Sequence, residues 1–528
     1  MFWRRSTGRS DVIAGNGAVA TSQPLATQAG IHALRMGGNA IDAAVAAAAV
    51  LDVVEPFSTG CGGDAFALVH LAGSTKPIGY NGSGHSGSLV TLSELRDRGW
   101  QAMPVRGGPT VTVPGAMHLW HTLVDAYGLL EFSDVLNPAI RYARDGFPVS
   151  PIIAEVWRHV TGVLRSDYAR EVFTVNGAAP RRGQLMKNPD LASVFRGVAA
   201  EGLGYFYEGD IAERIVRTVE ADDGFLTLDD MRRHATTVTE PVSLSYCGYD
   251  VYEHPPNGQG FAALIMLGLM EEVEASTAPP MSAERYHLMI EAKKLAYADL
   301  YAHNADPDFY DVPLDELLSG KYLKKRAEMI DRNSVMEAPE NGLTSGNDTI
   351  YLATADGEGN AVSFINSLYM GFGSGLVVPG TGIKLQNRGS LFRLDPDHPN
   401  AYAPNKRPFH TIIPGALYQE SEIEGVFGIM GGPHQAQAHG QFISNVVDYC
   451  MSPQEALDYP RFHHDQESDT VALENGVPPH IQGGLRKLGH RLAHETSFGF
   501  GGGQAIFRLQ ESWIAGSDFR KDGQAAGF

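Results

Sequence analysis

The amino-acid sequence predicts a mixed α and β fold for this chain of 528 residues. Helical periodicities and short apolar runs bounded by turn residues occur in both halves, without an internal repeat or a low-complexity tract. The length exceeds that of a usual domain, so several lobes or one large layered domain is expected. With 43% hydrophobic and 19% charged residues, the chain can bury a sizeable core.

The N-terminal part is predicted to start with a strand and two helices. Residues 17–22 form the strand, Pro24 starts the first helix, and Asn39 caps an alanine-rich second helix that ends before Pro56. The glycine-rich residues 60–63 then lead into a buried strand. Because a strand follows these glycines, without a Lys-Ser/Thr pair, a phosphate-binding loop is excluded and close backbone packing is expected.

The middle of the chain is predicted to be helical and to end in a linker. Residues 114–235 are rich in helices, and residues 282–301 form a strongly periodic helix. The charged side chains of that helix are predicted to form a solvent-exposed face; they are Glu291, Lys293, Lys294 and Asp299. Residues 302–348 are rich in Asp, Pro, Asn and Gly and are the predicted linker.

A sharp boundary at Thr349 separates a polar stretch from a predicted β-hairpin. Residues 350–355 and 361–366 have strand composition and flank a turn of Asp, Gly and Asn. Residues 337–348 are polar and rich in Gly, Asn and Pro. This layout suits an N-terminal nucleophile enzyme, which cuts its own chain and uses the exposed threonine or serine as catalyst. The alternative is an ordinary loop that enters a hairpin.

The pair Gly431-Gly432 is a second candidate for chemistry. It lies between an apolar strand, residues 426–430, and a helix predicted from about residue 436 to residue 450. Backbone N–H groups in such a turn, beside the positive end of a helix, can stabilise the oxyanion of acyl transfer. The alternative is a turn that only requires positive φ angles.

Two pairs of histidines, His434 with His439 and His463 with His464, raise the question of a metal site. A spacing of five residues does not place two imidazoles on one helical face, and no carboxylate nearby completes a ligand set, so no metal is expected. The chain has no G-x-S-x-G motif, which disfavours a Ser-His-Asp hydrolase.

Charge and cysteine content exclude several classes of function. The formal net charge of −20 argues against nucleic acid or an anionic membrane as partner, since both need a cationic surface. Three cysteines without a C-x-x-C pair disfavour a disulfide framework and a structural zinc site. The N-terminus has no apolar segment of a secretory signal, and residues 40–54 are too short to span a bilayer. A cytoplasmic location is expected.

An ordered series of motifs resembles the gamma-glutamyltransferase family over most of the chain. The motifs occur in the family's order: residues 37–47, Gly62-Gly63, 286–299, Thr349, Asp356, Val362, 372–375, 406–408, Gly431-Gly432 and 518–520. The resemblance implies a four-layer αββα sandwich and a precursor that cleaves itself between Asp348 and Thr349. The large chain, residues 1–348, and the small chain, residues 349–528, would together form one unit.

The resemblance also implies roles for the residues of the reaction. Thr349 would attack an amide carbonyl, and its own α-amino group, with a reference pKa of about 7.7–8.0, would accept the hydroxyl proton. Gly431 and Gly432 would hold the oxyanion through their N–H groups, and Ser367 would orient the threonine amine. The acyl-threonine would pass to water or to an acceptor amine. No cofactor is implied, and the partners are a small amide and the two chains, with a higher homo-oligomer left open.

The residues that bind the glutamyl group in glutathione-cleaving relatives are not retained. Their serine pair corresponds to His410 and Thr411, and their asparagine corresponds to Tyr369. Their aspartate falls at about Leu391, and the region of their arginine is residues 81–85. Only Thr411 keeps clear hydroxyl capacity, so the substrate is expected to differ from glutathione.

Arg388 is the candidate that replaces these contacts, because its guanidinium can bind a substrate carboxylate through two hydrogen bonds. The alternative is that Arg388 braces its loop. His85 and His410 are weaker candidates, each of which could equally be a structural histidine, and Asn81 and Tyr369 complete the predicted binding set. Relatives with a similar Asn-Arg-Gly loop act on oxamate and on acyl side chains of β-lactams.

The sequence therefore predicts a self-processing N-terminal-threonine amidohydrolase or acyltransferase that cleaves a small carboxylate-bearing amide. Three alternatives stay open: a glutathione hydrolase with a rebuilt pocket, a β-lactam side-chain acylase, and a non-catalytic homologue that acts as a binding protein. The presence of Thr349, Ser367 and the glycine pair counts against the last of these.

Overall fold

The structure, a computed structural model, describes residues 8–336, 348–493 and 499–528. In chain order its strands are β1 (Val12–Ala14), β2 (Gly17–Thr21), β3 (Asp64–His70), β4 (Ile78–Gly82), β5 (Phe147–Pro148), β6 (Leu185–Met186), β7 (Thr237–Thr239), β8 (Val242–Tyr246), β9 (Tyr249–Glu253), β10 (Asp348–Asp356), β11 (Ala361–Tyr369), β12 (Gly415–Gln419), β13 (Glu422–Met430), β14 (Phe462–Asp465), β15 (Thr470–Leu473), β16 (Leu492–Ala493), β17 (Gly502–Leu509), β18 (Ser512–Ser517) and β19 (Gln524–Gly527).

The α-helices are α1 (Pro24–Arg35), α2 (Ala40–Val54), α3 (Leu92–Asp97), α4 (Ala116–Tyr127), α5 (Phe132–Asp145), α6 (Pro151–Val160), α7 (Asp167–Phe173), α8 (Pro189–Glu201), α9 (Leu203–Tyr207), α10 (Asp210–Glu220), α11 (Leu228–Arg232), α12 (Gly260–Glu272), α13 (Ala283–His303), α14 (Leu314–Leu317), α15 (Gly320–Ala327), α16 (His434–Val447), α17 (Pro453–Asp458) and α18 (Pro479–Leu488). No helix among the described residues is long and apolar enough to cross a bilayer.

Two seven-stranded sheets form the centre of the fold. The first has the strand order β1-β18-β17-β13-β12-β9-β8, and the second has the order β19-β2-β10-β11-β3-β4-β7. All neighbouring strands within each sheet are antiparallel. Each sheet combines strands from before and after Thr349, so neither sheet is complete without both parts of the chain.

Helices cover the outer face of each sheet. On the second sheet, α2 packs against β10 and β11, with α1 and α5 beside it; on the first, α12 packs against β8 and β9, with α13 and α16 beside it. Between the sheets lies a core of alanines, aliphatic side chains and aromatic rings that includes Phe66, Tyr351 and Trp513. The four-layer αββα sandwich implied by the resemblance is confirmed.

Local sequence signals explain the first helices and the hairpin. The Asn39 side chain accepts hydrogen bonds from the N–H groups of Ile41 and Asp42, and every residue of α2 is buried, which accounts for its alanine content. In the turn of the β10–β11 hairpin, Asp356 Oδ1 accepts from the backbone N–H groups of residues 358–360. The predicted strands and helices in these regions are confirmed.

The predicted exposed face of α13 is wrong. Lys293 and Lys294 are at most 1% exposed and Glu291 is fully buried, because α12, α18 and β14 cover the helix from several sides. Lys294 Nζ lies 3.2 Å from Glu291 Oε1, so the charges compensate each other inside the protein. Because neighbouring elements cover the helix from several sides, its charged residues form no solvent-exposed face.

The linker prediction is wrong for residues 302–336, which contain the two short helices α14 and α15. The last described residue of this part, Met336, is held on α13: its N–H donates to Glu291 Oε2 at 2.8 Å, and its carbonyl accepts from Lys294 Nζ at 3.0 Å. The rest of the predicted linker, residues 337–347, and the side chain of Asp348 lie outside the described part.

Candidate active site

Thr349 lies near the start of β10, at an irregularity of the β10–β11 ladder. The register of the two strands shifts between Asp348 and Ile350. The Thr349 side chain is buried, and its Oγ1 lies 3.0 Å from Ser367 Oγ. Ser367 Oγ also accepts from the backbone N–H of Tyr369 at 2.8 Å, which fixes its position. This contact of Ser367 is with the threonine hydroxyl, whereas the role implied by the resemblance concerns the threonine amine.

The glycine turn follows β13 and starts α16. Gly431 and Gly432 have φ angles of 140° and 57°, in the region that favours glycine. Their carbonyl groups accept hydrogen bonds from the N–H groups of His434 and Gln435, at 3.1 and 3.2 Å. The glycine pair therefore pairs with the first N–H groups of the helix. The predicted change from strand to helix is confirmed, but the helix begins at His434 rather than near residue 436.

A chain of contacts connects the glycine turn with Thr349. Gln259 Nε2 donates to the carbonyl groups of both Gly432 and Thr411. Thr411 Oγ1 accepts from Arg388 Nη1 at 2.7 Å. The Arg388 guanidinium lies 4.5 Å from the centroid of the Tyr369 ring, and Tyr369 donates through its backbone to Ser367. Five of the predicted site residues, Arg388, Thr411, Tyr369, Ser367 and Thr349, are thus brought together with the turn.

Arg388 is a buried cation with unused hydrogen-bonding capacity. Its side chain is 0% exposed, and within the described ranges its Nε and Nη2 have no hydrogen-bond partner. Burial lowers the pKa of Arg388 to about 10, although Asp64 opposes this change. Unpaired buried donors are costly, so the two free nitrogens point to a ligand that carries acceptor oxygens.

Asp64 belongs to the same cluster, and the sequence reasoning missed it. Its Oδ2 lies 3.1 Å from His410 Nε2, and its Oδ1 accepts from the Gly84 N–H at 3.0 Å. Burial raises the pKa of Asp64 to about 7 against the lowering effect of Arg388. The available signal was a single carboxylate at the start of the buried strand β3, ahead of five apolar residues.

His410 is buried beside Asp64 and is not exposed at the protein surface. Its backbone N–H donates to the carbonyl of Asn257 at 2.8 Å, and its ring packs 4.7 Å from that of Phe66. Burial, followed by the charge of Arg388, holds the pKa of His410 well below its usual value. A neutral imidazole can therefore share a proton with the Asp64 carboxyl.

The structure does not place Asn81 and His85 against Arg388. The Asn81 side chain donates to Asn257 Oδ1 at 2.9 Å and accepts from both the N–H and the hydroxyl of Ser83, so its hydrogen bonds are internal. The ligand atoms of His85, Asp306 and Asp308 lie within 4.8 Å of one another. Burial lowers the pKa of His85 to about 4. Among the described residues, no hydrogen bond joins either of these two predicted substrate residues to the Arg388 side chain.

Hydrogen bonds use ring nitrogens of three buried histidines, His287, His439 and His490. His439 contacts Glu253 Oε1 at 2.7 Å and accepts from the Ile429 N–H at 3.0 Å. In the buried group of His287, Glu291 and His490, the two imidazoles contact each other at 2.8 Å. His287 Nε2 also contacts the Asp331 carbonyl, so little donor capacity is left for a metal ion there.

Comparison with known proteins identifies the family. A family model described as Gamma-glutamyltranspeptidase matches residues 26–528. The chain belongs to the gamma-glutamyltranspeptidase family. The resemblance predicted from the motifs is confirmed.

Similar members of the gamma-glutamyltranspeptidase family carry hydrolase and acylase names. The Glutathione hydrolase-like YwrD proenzyme of Bacillus subtilis is 38% identical over 515 residues, which cover 95% of this chain and 97% of the relative. The Oxamate amidohydrolase proenzyme of Klebsiella pneumoniae is 35% identical over 533 residues, covering 98% and 100%. The crystal structure of cephalosporin acylase from Bacillus halodurans matches with a TM-score of 0.92 at 40% identity, covering 100% and 98% of the two chains.

These relatives place the chain in a family of hydrolases and transferases that are made as proenzymes. Glutathione hydrolases, an oxamate amidohydrolase and acylases occur among its relatives. A self-processing amidase or acyltransferase is therefore in keeping with the family, while the substrate differs from one relative to another.

Proposed function

We propose that the protein cleaves itself between Asp348 and Thr349 and then hydrolyses, or transfers the acyl group of, a small amide that carries a carboxylate. The observation that carries the proposal is the contact chain from Thr349 through Ser367 and Tyr369 to Arg388. These contacts connect a buried nucleophile with a buried cation. Within the described residues, two N–H groups of this cation have no partner and can bind an anionic ligand.

In the proposed acylation step, Thr349 Oγ1 attacks the amide carbonyl carbon of the substrate. Cleavage of the precursor frees the threonine α-amino group, whose reference pKa of about 7.7–8.0 lets it accept the hydroxyl proton near neutral pH. Ser367, 3.0 Å from Oγ1, holds the hydroxyl in place. The N–H groups of Gly431 and Gly432 are the proposed donors to the oxyanion, since the turn leads into α16. The amine leaves with the transferred proton.

Arg388 is the proposed binding residue for the substrate carboxylate. Its Nε and Nη2 can form two parallel hydrogen bonds to one carboxylate, while Nη1 stays on Thr411. The Tyr369 ring, 4.5 Å from the guanidinium, adds a cation–π contact that keeps the fork in one orientation. In oxamate the carboxylate lies close to the amide. Such a substrate fits this site, because Arg388 is connected to Thr349 through the contacts of only two residues, Tyr369 and Ser367.

The similarity to a cephalosporin acylase structure favours β-lactam side-chain cleavage as a second candidate. A carboxylated acyl group would use the same Arg388 contact, so the two candidates differ in the length of the acyl group. A glutathione hydrolase is less favoured, because Tyr369 and Leu391 occupy two of the family's glutamyl-binding positions and both are buried.

Intact-mass spectrometry tests the self-cleavage. The wild type should give two fragments that split between Asp348 and Thr349, and Thr349→Ala should give one uncut mass. One uncut mass in both proteins would contradict the proposal and favour a non-catalytic homologue.

Two matched amides then test the substrate class. N-(4-nitrophenyl)oxamic acid should release 4-nitroaniline, whereas its ethyl ester, which lacks the carboxylate, should be cleaved more slowly at equal concentration. Faster release from the γ-glutamyl 4-nitroanilide than from the oxamic acid would instead establish a glutamyl pocket. Equal rates for acid and ester would refute the role of the carboxylate.

A further inference from the structure

A buried imidazole without hydrogen bonds lies next to the glycine turn. His434 is the first residue of α16 and is 0% exposed. Among the described residues, neither its Nδ1 nor its Nε2 has a hydrogen-bond partner. Protein interiors rarely leave both polar atoms of a side chain unpaired, because each loses its hydration without compensation. The chain keeps a costly group at this position.

The position of His434 relates it to the proposed oxyanion site. A Cβ atom built on Gly431 would lie 3.5 Å from His434 Cβ and 3.6 Å from its Cδ2, so the side chain is in van der Waals contact with the turn. On its other sides, the ring centroid lies 4.8 Å from that of His463 and 6.5 Å from that of Phe500. An acyl group held at the oxyanion site would have this imidazole as a neighbour.

A large cavity lies on the far side of Phe500 from the imidazole. Phe500 stands edge-on to His434 and is part of the wall of a cavity of about 1040 Å³. Asp458, Glu474 and Arg520 add polar groups to this wall. Phe500 thus stands between this cavity and the imidazole.

Burial and the charges around His434 together favour its neutral imidazole. Burial is the main cause that holds the pKa of His434 well below its usual value, followed by the electrostatic effects of His463, Arg461, Arg520 and Lys293. Both arginines are paired with Asp518, at 2.7 and 3.0 Å, so they stay charged. A neutral imidazole offers one N–H donor and one bare nitrogen that accepts a hydrogen bond.

We infer that His434 binds the nucleophile of the second half-reaction, the water or amine that attacks the acyl-threonine. The inference rests on the proposed function, since it needs an acyl group on Thr349. In this step the oxygen or nitrogen of the nucleophile bonds to the acyl carbon, and the ester bond to Thr349 Oγ1 breaks. The proton lost by the nucleophile ends on Thr349 Oγ1. The bare nitrogen of His434 accepts a hydrogen bond from the nucleophile and orients it beside the glycine turn.

Replacement of His434 by phenylalanine separates this role from a structural one. Phenylalanine keeps the flat ring and removes two unpaired polar atoms, so His434→Phe should leave the thermal midpoint unchanged or raise it. Self-cleavage should persist. With N-(4-nitrophenyl)oxamic acid, the variant should release a burst of about one 4-nitroaniline per site and then turn over about 100-fold more slowly than the wild type. The mass of the small chain should show the trapped acyl group.

His434→Gln and His234→Phe complete the experiment. Glutamine can still hold the nucleophile, so His434→Gln should turn over faster than His434→Phe. His234 is a matched control: it is also buried with both ring nitrogens unpaired in the described structure, but it stacks on Tyr207 near His118. His234→Phe should turn over at the wild-type rate.

Three results would overturn the inference about His434. The first is a steady-state rate of His434→Phe within about twofold of the wild-type rate. The second is loss of the burst in a variant that has cleaved itself. The third is loss of self-cleavage together with a lowered thermal midpoint. The last two would assign His434 to acylation or to folding. A wild type that stays uncut would refute the proposed function itself, which the mass spectrum separates from a failure of His434 alone.

Discussion

Asp64 and Ser367 lie directly opposite each other in the antiparallel pair of β3 and β11. The strand pair therefore carries a buried carboxyl across from the hydroxyl that contacts Thr349. The carboxyl has a pKa of about 7, raised by burial, and it contacts His410. The hydroxyl that contacts the nucleophile thus lies opposite a group that changes its charge near neutral pH.

The raised pKa of Asp64 predicts a pH-dependent stability. An unfolded aspartate has a pKa of about 3.9, so between about pH 4 and pH 7 the folded state binds more protons than the unfolded state. Stability from this group is complete below the lower value, falls as the pH rises through the window and is flat above it. Asp64→Asn removes this loss and should gain up to about 4 kcal/mol over its parent between pH 4 and pH 8.

The measurement uses the uncut Thr349→Ala background, so that one chain unfolds. Thermal midpoints of this parent and of its Asp64→Asn derivative are compared from acid to alkaline pH. An exposed aspartate, Asp395, supplies the control substitution Asp395→Asn, which should leave the pH profile of the parent unchanged. Parallel profiles for parent and Asp64→Asn would show that Asp64 does not titrate in this window.

Thr349 should be replaceable only by serine. Thr349→Ser keeps a hydroxyl beside Ser367 and should still cleave itself, whereas Thr349→Ala should remain one chain and show no turnover. Thr354→Ala is the matched control, since Thr354 is a buried threonine of the same strand whose hydroxyl donates to the Ala40 carbonyl at 2.7 Å. The intact masses report the result, and cleavage of Thr349→Ala would move the nucleophile elsewhere.

Ser367→Ala should lower turnover by about tenfold or more, which corresponds to the loss of one hydrogen bond of about 1.4 kcal/mol in the transition state. The control is Ser363→Ala on the same strand, because the Ser363 hydroxyl bonds to the Tyr351 hydroxyl at 2.8 Å and not to the nucleophile. Steady-state rates with the oxamic anilide decide between them. Equal losses in both variants would indicate a general effect on the strand.

Arg388→Lys should raise KM for N-(4-nitrophenyl)oxamic acid by about 10- to 100-fold, because the ammonium keeps the charge but loses the forked pair of donors. The kcat value should change little, since the carboxylate is bound in ground and transition state alike. The ethyl ester of the same anilide is the control substrate, and its KM should not respond. An unchanged KM for the acid would leave Arg388 as a residue that braces its loop.

Lys294→Met should destabilise the uncut protein by about 3–5 kcal/mol, because it leaves the buried Glu291 charge unpaired. The double variant Glu291→Leu/Lys294→Met should recover most of this loss. Lys325→Met, an exposed lysine of α15, should change little. Thermal midpoints measure all three variants in the Thr349→Ala background. A double variant as unstable as the single one would show that the contacts of Lys294 with Asp469 and the Met336 carbonyl matter more than its pair with Glu291.

The sequence alone was enough to predict features that depend on residues close together in the chain. The cap at Asn39, the hairpin that begins at Thr349 and the turn at Gly431 follow from the conformational preferences of a few consecutive residues. The ordered motifs added the αββα sandwich and the family. Both kinds of signal are carried by residues that stand close together or in a fixed order along the chain.

Only the tertiary structure decided which distant side chains meet. The buried charges of α13 could not be predicted, because burial of a helix face depends on what packs against it, here α12, α18 and β14. In the same way, Asp64 contacts His410, while the Asn81 side chain donates to Asn257. Hydrogen bonds and desolvation act over a few ångströms in space, whatever the separation in the chain, so the fold and not the local pattern determines these partners.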